Sequence, residues 1–152
     1  MNTTPQRGKI RRLEHIGVVV EDLAAAKAFF TELGLELEGE ATVEGPAVDR
    51  ITGLGGVRSD VAMFRTPDGQ GCLELCKYHA PSAPAGDPQA PANTPGLRHL
   101  LFVVEEIDDI ISRLRPHGGE LVGELVRYEN SYRLCYLRGP AGIIIELAEE
   151  IR

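Results

Sequence analysis

Two histidines and two glutamates in this chain fall in a doubled pattern that suits metal chemistry: His15 and His99, Glu74 and Glu146. Each His stands near the start of an apolar, β-branched run, and each Glu stands among apolar neighbours in another run. A single His at such a place is commonly a hydrogen-bonded core residue, and a single Glu on a strand commonly points to water. The doubling changes that weighing, because both residue types recur at the same point of two halves. Two halves facing each other would gather two imidazoles and two carboxylates. These are borderline-to-hard ligands, suited to one divalent ion such as Zn, Ni, Co, Mn or Fe. A site able to reach five or six coordination keeps room for water or for substrate oxygens. Cys72 and Cys76 share the face of Glu74 on a regular strand and read as packing residues rather than ligands.

The halves are a repeat. Residues 13–40 lie on residues 97–124 without a gap, at an offset of 99 − 15 = 84. Leu13, His15, Val19, Val20, Glu21, Gly34, Glu36, Leu37, Gly39 and Glu40 recur as Leu97, His99, Val103, Val104, Glu105, Gly118, Glu120, Leu121, Gly123 and Glu124. Chance would give about two such identities, and internal repeats outrank other readings. Leu-Glu-Leu at 73–75 answers Ile-Glu-Leu at 145–147.

The elements that must position these residues follow from periodicity. Alternation predicts a strand over 13–20, with His15, Gly17 and Val19 on one face. Asp22 is a plausible N-cap for a helix marked by Leu23, Ala26, Phe30 and Leu33 and ended by Gly34. A strand over 35–43, a long loop over 44–59 and a hairpin of strands 59–66 and 71–78 complete the first half. The second half predicts a strand over 97–104, with His99, Leu101 and Val103 on one face. A helix marked by Ile107, Ile110, Ile111 and Leu114 follows, then strands 120–128, 131–138 and 143–148. The expected organisation is an N-terminal arm (1–9), a βαβββ module (10–78), an extended linker holding five of the ten prolines (79–96) and a second βαβββ module (97–152). The fold class is α+β, eight strands curling into a cleft.

A net charge of −7 argues against nucleic acid. No apolar run is long enough to span a bilayer, and the N-terminus lacks a secretory h-region. Three cysteines form no disulfide framework, which fits a cytoplasmic protein.

At LEHIGVVVEDL, GCLELCKY, LRHLLFVVEEI and GPAGIIIELAEE the chain resembles the vicinal oxygen chelate superfamily, which includes glyoxalases, bleomycin resistance proteins and extradiol dioxygenases. The resemblance runs from about Ile10 to the end. It implies paired βαβββ modules forming a U-shaped mixed sheet around a metal cleft, with His15, Glu74, His99 and Glu146 as the four metal positions. The His/Glu/His/Glu order resembles bacterial glyoxalase I position for position. That implies a lyase or isomerase acting by α-proton transfer through a metal-bound enolate, with Glu146 or Glu74 as the base, on a small molecule with vicinal oxygens. Alternatives are a methylmalonyl-CoA epimerase-like isomerase, an Fe(II) extradiol dioxygenase using two His and Glu146, and a non-catalytic binding or resistance protein. Glutathione-using relatives carry an Arg where this chain has Val19, so a glutathione adduct is expected to be a poor substrate; Arg98, Arg127 and Arg133 are possible substitutes. Tyr128, Glu129, Asn130, Tyr132 and Arg133 form a turn cluster that could overhang the cleft. The edges of such a sheet need covering, and a homodimer is expected.

Overall fold

The computed structural model describes residues 4–152; the first three residues of the expected N-terminal arm lie outside the described residues. The elements repeat in order, except that one helix of the first half, Pro46–Thr52, has no counterpart in the second. The first half holds β1 (Ile16–Val19), α1 (Leu23–Leu33), β2 (Glu36–Glu44), α2 (Pro46–Thr52), β3 (Arg58–Arg65) and β4 (Cys72–Ala80). The second holds β5 (His99–Val103), α3 (Ile107–Leu114), β6 (Val126–Tyr128), β7 (Tyr132–Arg138) and β8 (Ile144–Glu150).

The strands form two four-stranded sheets, ordered β1-β4-β3-β2 and β5-β8-β7-β6. β1 runs parallel to β4, and β5 parallel to β8; all other pairs are antiparallel. The α+β class and the doubled βαβββ order stand as expected. Within one chain the U-shaped sheet is present as two separate halves, because the outer edges of β1 and β5 carry no ladder partner among the described residues.

Local chemistry explains the helices. The Asp22 carboxylate accepts from the Ala25 N–H at 2.9 Å and so caps α1. Gly34, at φ 119°, closes α1 by donating to the carbonyls of Phe30 and Thr31. α1 buries Ala26, Phe29, Phe30 and Leu33. α3 buries Ile107, Ile110, Ile111 and Leu114, a spacing that lines one helical face. No side chain at the start of α3 caps it; Glu149 of β8 accepts from the Ile107 N–H at 2.5 Å instead. α1 and α3 also pack against each other, and Arg113 ties them by donating to Glu32 Oε1 at 3.1 Å. One continuous core results, from Val18, Phe64 and Leu75 of the first half to Leu137, Ile145 and Leu147 of the second. Each buried aliphatic or aromatic side chain of this kind stabilises by roughly 1.5–3 kcal/mol.

Each sheet therefore has one face on its helix and one turned away from it, on which Cys72, Cys76 and Ile144 are still buried. Alternation is sharp: Val18 is buried while Val19 is 59% exposed, and Leu100 is buried while Val103 is 64% exposed.

Four details differ from the sequence reading. The 44–59 loop contains α2, opened by Gly45-Pro46 and closed by Gly53 at φ 70°. No residue of α2 is buried, so it has no apolar periodicity to reveal it. The strand expected over 120–128 is broken: Leu121 bridges Leu137, and the ladder resumes only at Val126. β1 and β5 start at Ile16 and His99, later than Leu13 and Leu97, so both histidines sit at strand mouths. The proline-rich linker, expected as an extended segment, is docked on the second half. Ala90 is buried, and Gly142 lies so close to Pro88 that a Cβ there would meet its backbone at 2.4 Å. Among the described residues no helix is long and apolar enough to cross a membrane.

Candidate metal centre

Strand register brings each His to its Glu. Gly17 pairs with Glu74 and Leu101 with Glu146; each is two residues past a His and on the same face. His15 Nε2 lies 3.7 Å from Glu74 Oε2, and His99 Nε2 lies 3.4 Å from Glu146 Oε2. Two donors on a common ion at about 2.0–2.2 Å stand about 3.0–3.5 Å apart at tetrahedral or octahedral angles. The His99–Glu146 pair falls within that spacing and the His15–Glu74 pair just beyond it, and the donor set of imidazole and carboxylate suits a divalent cation. Neither carboxylate is fully buried: the side chain of Glu74 is 29% exposed and that of Glu146 14%.

The two pairs have different neighbours. Glu14 accepts a hydrogen bond from His15 Nδ1, and this bond chiefly holds the Glu14 carboxyl below the usual carboxylate range. Such a partner fixes an imidazole's orientation. His99 instead lies against Tyr136, ring centroids 5.3 Å apart, and Tyr136 is the ladder partner of Glu146. The equivalent partner of Glu74 is Met63. Cys76 donates its thiol to Glu74 Oε1 at 3.0 Å. Burial, and then that carboxylate, push the Cys76 thiol up to about 12. It remains a thiol at neutral pH, which agrees with a packing role rather than a thiolate ligand.

The four predicted residues meet as two pairs, not as one set. Among the described residues no group of three or more His, Cys, Asp or Glu is arranged to hold a metal ion. A cleft of about 950 Å³ between the halves is lined by both His15 and His99, yet by neither glutamate.

Other candidates divide. Tyr128 and Tyr132 pair with each other on the open face, whereas Arg133 points to α3 and grips Asp108 at 2.7 Å. Arg127 is the ladder partner of Arg133 and shares its face, away from the pair. Arg98 donates to the carbonyls of Thr94 and Pro95 in the linker. His79 pairs with Asp60 at 2.8 Å, and His117 lies 4.0 Å from Glu32; neither is near the centre.

Sequence reasoning missed two arginines. Arg65 and Arg138 occupy equivalent places, one ladder step beyond the strand that carries each Glu. Each donates through Nη1 to the carbonyl of the glycine four residues on, Gly69 at 3.1 Å and Gly142 at 3.2 Å. The signal was in the sequence as a repeated Arg-x-Pro-x-Gly: Arg65-Thr66-Pro67-Asp68-Gly69 and Arg138-Gly139-Pro140-Ala141-Gly142.

Known proteins share this architecture. A glyoxalase family protein from Bacillus cereus, solved by crystallography, is 50% identical, with a TM-score of 0.90 over 95% of this chain and 97% of that one. The uncharacterized Escherichia coli K12 protein YaeR is 30% identical over 142 residues, 93% of this chain and 98% of YaeR. The fosfomycin resistance protein FosX of Listeria monocytogenes, in a crystal structure of a mutant complexed with Mn(II) and 1S,2S-dihydroxypropylphosphonic acid, shares the fold at 18% identity and a TM-score of 0.58, over 91% of this chain and 90% of that one. The sequence profile of the Glyoxalase/Bleomycin resistance protein/Dioxygenase superfamily matches residues 12–147, and the chain belongs to that superfamily.

Proposed function

We propose that this chain is a divalent-metal-dependent lyase or isomerase that moves a proton α to a carbonyl, and that two copies build its site. His15 and Glu74 of one copy and His99 and Glu146 of the partner subunit would hold one ion, twice per dimer. The observation that carries this reading is the same His–Glu pair formed twice, at ligand-like separations of 3.7 and 3.4 Å. Each pair is half of a coordination set, and the chain offers neither pair a third ligand among the described residues. The free edges of β1 and β5 flank the pairs, with Val19, Leu101 and Val103 exposed beside them. Uncovered edges and apolar faces of this kind favour association. Fold-sharing FosX, crystallised with Mn(II), is in accord with a divalent ion.

When bound, such an ion supplies Lewis-acid polarisation of a substrate oxygen. The chain's own residues do the rest. Glu146 is the better placed base: Glu74 already accepts from Cys76, while Glu146 accepts no hydrogen bond from the described residues. Tyr136 and Leu101 are its ladder neighbours on that face, and the side chain of Glu146 is only 14% exposed. A ligand carboxylate that leaves the ion would take the proton α to the carbonyl and return it to that carbon or to its neighbour.

Reconstitution with Mn²⁺, Ni²⁺, Co²⁺ or Zn²⁺ followed by elemental analysis tests the site. Wild type should hold about one ion per chain, and His99→Ala far less. Equal metal in both, or none in the wild type, would end this reading. Turnover of methylglyoxal–thiol adducts and of epimerisable acyl-CoA esters in D₂O should carry solvent deuterium into product. Oxygen uptake with catechols and no such exchange would favour the dioxygenase instead.

A further inference from the structure

The open faces of the two sheets differ in one respect that bears on the substrate. Arg65 and Arg138 are repeat equivalents, yet their charges are handled differently. Arg65 Nε donates to Glu38 Oε1 at 2.5 Å, so a carboxylate neutralises it. Arg138 has no carboxylate partner among the described residues. It donates through Nη1 to Gly142 O at 3.2 Å and through Nη2 to Gln89 O at 3.3 Å, and carbonyls do not cancel its charge. A guanidinium has five N–H donors, so three remain.

Arg138 also shares a row with the histidine of the second pair. His99, Ile144 and Arg138 are successive ladder partners across β5, β8 and β7. Alternation along β7 buries Cys135 and Leu137 against the core and turns Tyr136 and Arg138 to the face of His99 and Glu146. Two strand spacings, roughly 10 Å, separate the backbones of His99 and Arg138. The carbonyl bonds to the β7–β8 turn and to the linker hold the guanidinium in place, and a pre-anchored guanidinium loses less freedom on gripping an anion. Of the other arginines of this half, Arg133 is neutralised by Asp108 and Arg127 is its ladder partner on that opposite face. Arg98, like Arg138, is held only by carbonyls, but as the residue next to His99 it falls on the other side of the chain by alternation.

We propose that Arg138 is the anion-binding residue of this site, and that the substrate carries an oxyanion a few bonds from the oxygens presented to His99 and Glu146. The proposal rests on the metal reading above. It makes the missing cation at Val19 unnecessary, because the charge is supplied from the opposite strand of the other half.

Three hydroxamates test it on the metal-loaded protein, by titration calorimetry. Acetohydroxamate carries no second charge; succinic monohydroxamate adds a carboxylate, and phosphonoacetohydroxamate adds a phosphonate. In the wild type at least one charged probe should bind about tenfold tighter than acetohydroxamate, the range of one charged hydrogen bond. The tighter of the two names the anion. Arg138→Met should erase that ratio and leave acetohydroxamate within about twofold. Arg65→Met should preserve it. Arg138→Lys keeps the charge but not the fork to the turn and linker, and should retain part of the ratio even if Arg138→Met melts early. A ratio unchanged in Arg138→Met overturns the proposal. So does equal weakening of all three probes, or a lysine variant as poor as methionine; either would make Arg138 a clamp for the turn alone. If acetohydroxamate itself does not bind the wild type, the metal reading fails and this proposal falls with it. The two failures are thus told apart.

Discussion

A mixture of two inactive variants should regain metal and activity. One variant removes the first pair (His15→Ala, Glu74→Ala); the other removes the second (His99→Ala, Glu146→Ala). Alone, each leaves every site with two ligands instead of four, whether sites form within or between chains. Mixed dimers separate the two cases. With sites between copies, one site of the mixed dimer joins the intact second pair of the first variant to the intact first pair of the other, and is complete; its other site has no ligands. Random exchange makes about half of the dimers mixed, each with one site of two, so about one quarter of wild-type metal returns. With sites inside one chain, nothing returns. The variants are co-refolded from denaturant, and metal per chain and deuterium incorporation are measured. Mass spectrometry verifies that mixed dimers are present. Their presence without recovered metal would refute the inter-subunit site, as would a 16.5 kDa species alone in sedimentation.

Other outcomes can be checked separately. Glu149→Ala removes the acceptor at the start of α3 and should cost about 1 kcal/mol, lowering Tm by about 2–4 °C with metal content unchanged. Native protein at about pH 8 should resist thiol reagents, because burial raises Cys72 and pushes Cys135 up to about 11, leaving both protonated; rapid labelling would contradict this, whereas all three cysteines should react after denaturation. Asp60 is held below the usual carboxylate range, first by Thr42 and then by His79. A depressed folded-state value stabilises above the unfolded value of about 3.9, and that contribution is lost as pH falls through the folded value. Acid titration of stability should therefore be shallower in Asp60→Asn below about pH 4.

The doubling of His and Glu was legible because a strand's alternation and a repeat's offset both constrain the same residues. Leu23–Leu33 and Ile107–Leu114 were equally legible, since each buries a helical stripe between a turn signal and a stop. α2 was not, because a seven-residue helix that buries nothing leaves no pattern. The break between Leu121 and Val126 was hidden by the match of Glu120–Glu124 to Glu36–Glu40; the repeat holds at the Leu121–Leu137 bridge and then diverges. The separation of the two pairs was also beyond the sequence. Whether halves meet within a chain or between chains is decided by how α1 and α3 pack, and both arrangements need the same residues. Arg138 was overlooked because its worth depends on what its neighbours do not supply, which only coordinates reveal.

The shared packing of α1 and α3 has a consequence for how the chain unfolds. Although the halves repeat in sequence, their buried residues form one core, and Arg113 and Glu32 bridge them. Neither half carries an apolar surface closed on itself: an isolated first half would expose the flank of α1 that packs on α3, and an isolated second half the matching flank of α3. The chain is thus doubled in sequence but should unfold as a single unit of cooperativity. Cleavage in the exposed stretch around 82–87 should leave two fragments that stay together and melt together, not two independent domains.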